Sequence, residues 1–422
     1  MLLRTERAKN SRKYSTSNHY VIIAVFDHPT IQLITSYLQA HPWGCAMVCI
    51  LSIAFLHQVY FYLRYIRKGA KKSTTSHIPE ETKNLPGVSV VVCAHNEEIN
   101  LKSYLHTLLN QDYPTFEVIV VDDESEDNTY TILEQYRQQS NRLYHTFVPR
   151  GARVISSKKL ALSIGIKAAK YNYILLTDAD CRPESRYWIR EMMGGFQNEK
   201  TEIVLGFSPY FETKGLLNHI ICYDTLFSGL QYMGMARCGH PYMGVGRNLA
   251  YRKETFFSNN GFQGLLNERA GDDDLLVNKI ANRSNTSVVC NPNALTWSSP
   301  KRTWYEWIHQ KRRHLSVSPR YSTQSKIRLI FEPITRGLVH FLSILCIAYG
   351  LITGQWIIAA SAYGLWSLRL LVQLIIINIA ARRLRMREIG IELVLFDIFL
   401  PLITLFIFTT QPLFRKKQQF YW

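Results

Sequence analysis

The chain has 422 residues, 47% of them hydrophobic and 19% charged, with a formal net charge of +17. That length holds one large domain or two ordinary ones. The positive charge gathers beside apolar segments, at Arg64, Arg67, Lys68, Lys71 and Lys72, at Arg382, Arg383, Arg385 and Arg387, and at Arg415, Lys416 and Lys417. Such placement suits anionic lipid headgroups and cytoplasmic loops. It argues against a nucleic-acid partner, which calls for a basic stripe on the folded domain.

In chain order, residues 1–42 form an N-terminal segment whose first 20 positions are basic and polar, without the apolar core of a cleavable signal. Residues 43–63 are apolar over a length that, as a helix, is about 31 Å and crosses a bilayer. Cys45 and Cys49 lie inside this helix. No C-x-x-C pair occurs among the eight cysteines, which excludes a disulfide framework and a zinc site and fits a reducing compartment. A basic linker, 64–86, carries Pro79 and Pro86.

From residue 87 to 320 the pattern is that of an α/β domain. Short apolar runs at 88–93, 118–121 and 173–176 read as strands buried on both faces, and 98–110, 128–139 and 158–170 have helical spacing. Strands alternating with helices predict a mostly parallel sheet flanked by helices. Ligands of such sheets bind beyond the carboxyl ends of the strands. His95-Asn96-Glu97, Asp122-Asp123 and Asp178-Ala179-Asp180 each follow a strand and so converge on one edge.

An interfacial helix is expected over 301–320, with Trp304, Ile308 and Leu315 on one face and Gln310 and Arg313 pointing away from it. A connector, 321–336, leads to membrane helices within 337–412, at 337–353, 356–379 and 391–408, followed by a basic tail, 413–422. Four membrane segments result, one N-terminal and three C-terminal. Arg369 sits within the second C-terminal one and faces either a neighbouring helix or a polar lipid group, and Pro401 is expected to kink or break the last. Counting basic residues puts 64–86 and 380–390 in the cytoplasm, and with them the domain between 64 and 336. The basic tail then falls on the opposite side, so either the last segment is re-entrant or the rule fails there.

The candidate chemistry lies in four places. Asp178 and Asp180, one small residue apart, suit a hard divalent cation, Mg²⁺ or Mn²⁺, that also takes diphosphate oxygens. Gly271-Asp272-Asp273-Asp274 opens a helix, where Asp272 and Asp274 need be no more than helix-start charges. Asp273 falls over the stripe of Leu276, Val277 and Ile280, so it lines a cleft, and its neighbours and partial burial raise its proton affinity, as a general base needs. Arg313 can pair with a diphosphate and Gln310 with a sugar. Lys158 and Lys159, ahead of a helix, are weaker phosphate candidates. Gly244-Val245-Gly246 lacks a third glycine and a following helix, which excludes a dinucleotide site, and no P-loop or serine-hydrolase elbow is present.

The ordered motifs at 90–97 (VVVCAHNE), 122–125 (DDES), 158–165 (KKLALSIG), 178–180, 244–252 (GVGRNLAYR), 271–274 and 310–313 resemble glycosyltransferase family 2. This is the inverting, glycosyltransferase-A-fold group that includes cellulose, chitin, hyaluronan and ceramide-glucosyl synthases. The resemblance implies that His95, Glu97, Asp123, Lys158 and Asp178 bind the donor, that Asp180 with Asp178 holds the metal diphosphate, and that Asp273, with Gln310 and Arg313, is catalytic. His314 stands where that family's signature has tryptophan, which weakens the aromatic platform for an acceptor sugar.

The expected function is therefore inverting transfer from a nucleotide-diphosphate sugar, a UDP-sugar foremost, to a hydroxyl of a membrane lipid or lipid-linked glycan. A processive polysaccharide synthase is the alternative within the class. A non-catalytic nucleotide-sugar-binding scaffold and a sugar-phosphate transferase releasing UMP are alternatives outside it. The expected setting is a bacterial inner membrane with the catalytic domain cytoplasmic, and with other envelope-biosynthesis proteins as partners.

Overall fold

The computed structural model describes residues 36–37, 39–72, 85–149, 157–266 and 270–414. Most of the N-terminal segment, the linker over 73–84 and the tail from 415 lie outside the described residues. The chain divides into two compact units, one of Met1–His57 with Leu338–Leu368, the other of Gln58–Gly337 with Arg369–Trp422.

The first apolar helix, α1 (Pro42–Phe61), passes through a π-helical turn at Tyr62–Ile66 and runs on to Gly69, beyond the expected end at 63. The α/β core follows as β1 (Val88–Ala94), α2 (Glu98–Leu109), β2 (Phe116–Asp122), α3 (Thr129–Gln139), β3 (Leu143–Phe147), α4 (Ser157–Ala168) and β4 (Tyr173–Asp178). After a short β5 (Cys181–Pro183) and α5 (Trp188–Met193) come β6 (Ile203–Leu205), the long α6 (Leu216–Arg237), β7 (Leu249–Arg252) and α7 (Lys253–Ser258). The domain closes with α8 (Asp274–Ile280), β8 (Thr286–Val288), β9 (Thr296–Ser298) and α9 (Trp304–Leu315). Three long helices complete the chain, α10 (Thr323–Ile352), α11 (Trp356–Arg383) and α12 (Glu392–Phe414).

Seven strands form one sheet in the order β3-β2-β1-β4-β7-β6-β8. The pairs β1–β2, β1–β4, β2–β3 and β6–β8 are parallel, and β7 alone runs against both its neighbours. The valine-rich runs suit a sheet covered on both faces, since branched side chains pack well on a pleat. Alternation divides them: Val88, Val90 and Val92 join the core that contains Leu101, Leu105 and Leu133, whereas Val91 and Cys93 join Ile166 and Leu162 on the other side. Register then fixes the edge. Ala94 lies opposite Asp122 and Cys93 opposite Asp178, so the loops after β1, β2 and β4 leave the sheet together, as expected.

Among the described residues, four helices are long and apolar enough to cross a membrane: Pro42–Gly69, Thr323–Ile352, Trp356–Arg383 and Glu392–Gln411. Two expectations change here. The connector, 321–336, is helical from Thr323, and α12 continues through Pro401 without a break. Arg369 resolves toward protein. Within the second unit its fully buried guanidinium pairs with Asp397 of α12 and donates to Gln373 at 2.7 Å and Gln58 at 2.9 Å. Gln373 donates in turn to Asp397 at 2.8 Å and to the Tyr223 hydroxyl at 3.0 Å, while Arg336 pairs with Glu332 at 2.5 Å. The first unit has its own small core of Leu51, Ala54, Val339, Leu342, Cys346, Ile358 and Ala362.

Candidate active site

The first two loops at the sheet edge are locked to one another. Asn96 and Glu124 both adopt left-handed backbone, with φ of 56° and 55°, an uncommon state for residues other than glycine. The Asn96 amide donates to Ser125 Oγ at 2.9 Å, and the Glu126 amide donates back to Asn96 Oδ1 at 2.7 Å. His95 Nδ1 lies 2.6 Å from the Asp123 carbonyl oxygen, so Nδ1 carries the proton and donates. His95 and Asp123 are thus held side by side.

At the end of β4, Asp178 and Asp180 are in different surroundings. Asp178 Oδ1 accepts from Lys158 Nζ at 3.0 Å, and Asp180 Oδ2 accepts from the Ser298 hydroxyl at 2.9 Å. Lys158 also lies 3.4 Å from Asp272, so one ammonium spans two of the acidic motifs. Burial pulls its proton affinity down, but Asp178, Asp272 and Asp273 outweigh that and raise it well above the ordinary lysine value. Glu97 is drawn into the same field. Its proton affinity rises to about 7 through burial and then through Asp180, Asp178 and Asp127, against a 2.5 Å bond from Asn100.

The third acidic motif is positioned by long-range contacts. Gly271 has φ of +83°, which favours glycine, and it starts the turn into α8. Lys159, fully buried, donates to the Ala270 carbonyl at 2.7 Å and so fixes this loop. Asp273 is the N-cap of α8: Oδ1 accepts from the Asp274 amide at 2.8 Å and Oδ2 from the Gly246 amide at 2.6 Å. Burial first, then Asp272, raises its proton affinity to about 6, against those two amides and Lys158. Asp272 is also pushed up by burial, but Lys158, a backbone amide, Lys159 and Arg313 outweigh this and hold it below the ordinary carboxylate value. Asp274 is more than a helix-start charge. It is buried against the Tyr321 hydroxyl at 3.1 Å, and burial and Asp273 raise its proton affinity strongly.

The α9 helix begins in a capping box between Thr303 and Glu306. Its inward face differs from the expected one. Trp307 and Arg312 are buried, whereas Trp304 is 44% exposed. Gln310 Nε2 donates to the Tyr210 hydroxyl at 2.9 Å, and Lys311 pairs with Asp224 at 2.7 Å. Arg313 and His314 are exposed, and Arg313 is close enough to Asp272 to lower its proton affinity.

Two residues went unread in the sequence. The Arg247 guanidinium stacks 4.2 Å over the Tyr210 ring, and Asp180 and Asp178 feel its charge. Its only signal was its place within GVGRN. Tyr210 follows β6, which is too short to register as a periodic strand.

Among the described residues no cluster of three His, Cys, Asp or Glu would enclose a metal alone. The donor set is two carboxylates, Asp178 and Asp180, whose negative charges add to burial in raising Glu97. Such a set fits a hard divalent cation that takes its remaining ligands from phosphate oxygens and water.

Residues 89–256 match the glycosyl transferase family 2 profile. A relative described as probable glycosyltransferase YdaM of Bacillus subtilis (strain 168) is 26% identical over 62% of this chain and 64% of its own length. A poly-beta-1,6-N-acetyl-D-glucosamine synthase of Staphylococcus epidermidis is 31% identical over 24% of each chain. This chain thus spans less than two thirds of the length of those relatives. The fold is shared with the mannosyltransferase PcManGT from Pyrobaculum calidifontis, solved with GDP-Man and Mn²⁺, at a TM-score of 0.52 and 18% identity over 81% of this chain and 98% of that one. Asp273 and α9 lie beyond the profile match, while the edge that carries His95, Asp123, Asp178 and Asp180 lies within it. With that edge, the mixed sheet and four apolar helices in place, the chain carries a glycosyltransferase family 2 domain.

Proposed function

We propose that this chain transfers a glycosyl group, with inversion, from a nucleotide-diphosphate sugar, foremost a UDP-sugar, to a hydroxyl of a membrane lipid or lipid-linked glycan. The observation that carries the reading is Asp273. It is a largely buried carboxylate aimed by the Gly246 and Asp274 amides, beside Lys158 and Asp272. Each of its oxygens spends one acceptor position on an amide and keeps another for an acceptor hydroxyl. A proton affinity near 6 leaves it ionised at neutral pH yet more basic than an ordinary aspartate.

In the proposed reaction the acceptor oxygen bonds to the anomeric carbon as its proton moves to Asp273. The bond to the diphosphate breaks on the opposite side, and the electron pair leaves with the phosphate. His95, Asp123 and Glu97 seat the nucleoside end, and Lys158 and Arg313 offset charge on the departing diphosphate. Gln310, braced by Tyr210, addresses a sugar. Asp178 and Asp180 are the residues that would hold Mg²⁺ or Mn²⁺, which when bound neutralises charge on the leaving group. The domain is expected to face the cytoplasm at a bacterial inner membrane, where other envelope-biosynthesis proteins supply or consume the glycan.

The synthase relative keeps a second acceptor in view, a growing polysaccharide. Incubating membranes that contain the chain with a panel of labelled nucleotide sugars, then extracting lipid and polymer separately, decides between them. Label in the lipid fraction supports the first reading and label in polymer the second. Release of UMP in place of a nucleoside diphosphate overturns both, and no donor turnover in any condition favours a binding scaffold.

A further inference from the structure

Four basic side chains from separate stretches of the second unit meet where α1 ends and α10 begins. Arg64 belongs to the π-helical turn of α1 and Arg328 to the first turns of α10, while His240 follows α6 and Arg283 follows α8. Close packing brings them together. A side chain at Gly69 would strike the Leu230 carbonyl, and one at Gly234 the Tyr65 carbonyl, so α1 and α6 cross at backbone contact. Arg237 donates to the Lys68 and Gly69 carbonyls at 2.6 and 3.2 Å, and Cys238 Sγ lies 3.3 Å from the Arg64 carbonyl oxygen. Gly239 then turns the chain with φ of +86°, and the Arg283 side chain lies over it, Cδ 2.9 Å from where a Cβ would stand. On the other side, Gln58 donates to the Glu332 carbonyl at 3.0 Å and so runs α1 alongside the start of α10.

The cluster lacks a carboxylate. Burial, then Arg328, Arg64 and Arg283, lower the proton affinity of His240, so the side-chain charges it feels most are all positive. Glu332, one turn beyond Arg328, is taken by Arg336 at 2.5 Å. Among the described residues Arg283 and Arg328 make no ion pair and no side-chain hydrogen bond, and Arg64 has the Tyr60 hydroxyl as its partner. The surface is open, with Arg283 exposed and Arg64, His240 and Arg328 partly so. Tyr60 and Phe331, one helical turn from Arg64 and Arg328, are exposed at 52% and 51%. Like charges held together are costly until a counter-charge joins them. Basic recesses between the ends of membrane helices are where anionic headgroups bind.

We propose that this surface binds an anionic phospholipid of the surrounding bilayer, its phosphate among Arg64, Arg283 and Arg328 beside His240 and its acyl chains along Tyr60 and Phe331. The cations complement the headgroup in charge, and guanidinium matches phosphate in geometry. The inference does not rest on the transfer reading.

The test uses the full chain in detergent, titrated with phosphatidylglycerol or with phosphatidylcholine, which carries the same phosphate but no net charge. Native mass spectrometry reads the lipid retained. Phosphatidylglycerol should be retained several-fold more than phosphatidylcholine. Arg283→Gln combined with Arg328→Gln should bring the two lipids level, whereas Arg283→Lys with Arg328→Lys keeps most of the preference. Neither arginine holds another side chain, so the melting temperature of both variants should match that of the unaltered chain. Glutamine at Arg382 and Arg385, which already pair with Glu388 and Glu184, should leave the preference intact. Equal retention of the two lipids overturns the proposal, as does a preference that survives the Arg283 and Arg328 replacements or falls equally with those at Arg382 and Arg385. So does its loss in millimolar inorganic phosphate, which identifies a soluble anion as the ligand. Asp273→Asn is expected to retain the preference, so failure of the transfer reading is scored separately.

Discussion

The backbone amide of Gly246 donates a 2.6 Å hydrogen bond to Oδ2 of Asp273, tying a turn of the domain to a carboxylate 27 positions further on. The bond aims the carboxylate and, because an amide proton favours the charged form, limits how far burial raises its proton affinity. Asp273→Asn places an uncharged amide in this seat. It is expected to lower transfer by roughly 10²–10⁴-fold, the span of general-base catalysis, while donor binding persists. Product formation and nucleotide affinity measured on one preparation check this, and near-normal turnover refutes the role.

The pH profile follows from the same group. With Asp273 as the proposed base, transfer requires it ionised, so the rate should fall as pH drops through about 6. Its effect on stability has the opposite sign. The folded value is raised from 3.8 to about 6, so its contribution is fully present below 3.8 and is lost as pH rises through about 6. Initial rates and melting temperatures recorded from pH 5 to 8 should therefore diverge, and in Asp273→Asn both dependences should flatten.

Lys158 is shared by Asp178 and Asp272 at 3.0 and 3.4 Å. Lys158→Met leaves two carboxylates facing one another without a cation. Because Asp178 is 30% exposed, the expected loss is about 1–2 kcal/mol, less than for a fully buried pair. The donor KM should rise while Lys158→Arg restores much of the affinity. A thermal melt together with donor titration distinguishes lost stability from lost binding.

Chelation addresses Asp178 and Asp180. EDTA is expected to abolish donor turnover, and Mg²⁺ or Mn²⁺ to restore it. Asp178→Asn and Asp180→Asn should each cost at least the roughly 10–100-fold seen when a partner of a metal site is removed. Turnover that persists in EDTA would exclude this use of the pair.

The Arg369–Asp397 pair is fully buried and shares Gln373. Arg369→Leu leaves Asp397 to Arg336 at 3.8 Å, itself already paired with Glu332, and Asp397→Leu leaves the Arg369 guanidinium without its carboxylate, so each alone should destabilise the chain by about 3–5 kcal/mol. The double replacement should recover most of that loss. Denaturation in detergent reads all three variants.

Much was legible in the sequence because it depends on near neighbours. Valine-rich runs of strand length predicted β1, β2 and β4, and the residues that follow each strand must leave at its carboxyl end. His95, Asp123, Asp178 and Asp180 could thus be placed on one edge from spacing alone. Apolar length likewise predicted four helices able to cross a membrane. Short elements escaped: β6 and β8, three residues each, carry too few positions for alternation to show. Pro401, expected to kink or break α12, leaves the helix unbroken, and the inward side of α9 is marked by Trp307, not Trp304.

What only tertiary structure decided are the relationships between distant residues. These are the Gly246 amide on Asp273, Lys158 between two acidic motifs, Lys159 on the Ala270 carbonyl, Arg247 over Tyr210, and Asp397 as the partner of Arg369. Periodicity and composition report how a residue relates to the next turn or the next pleat. They carry no record of which loop packs against which, and that packing sets the burial, amide bonds and neighbouring charges on which the site's proton affinities depend.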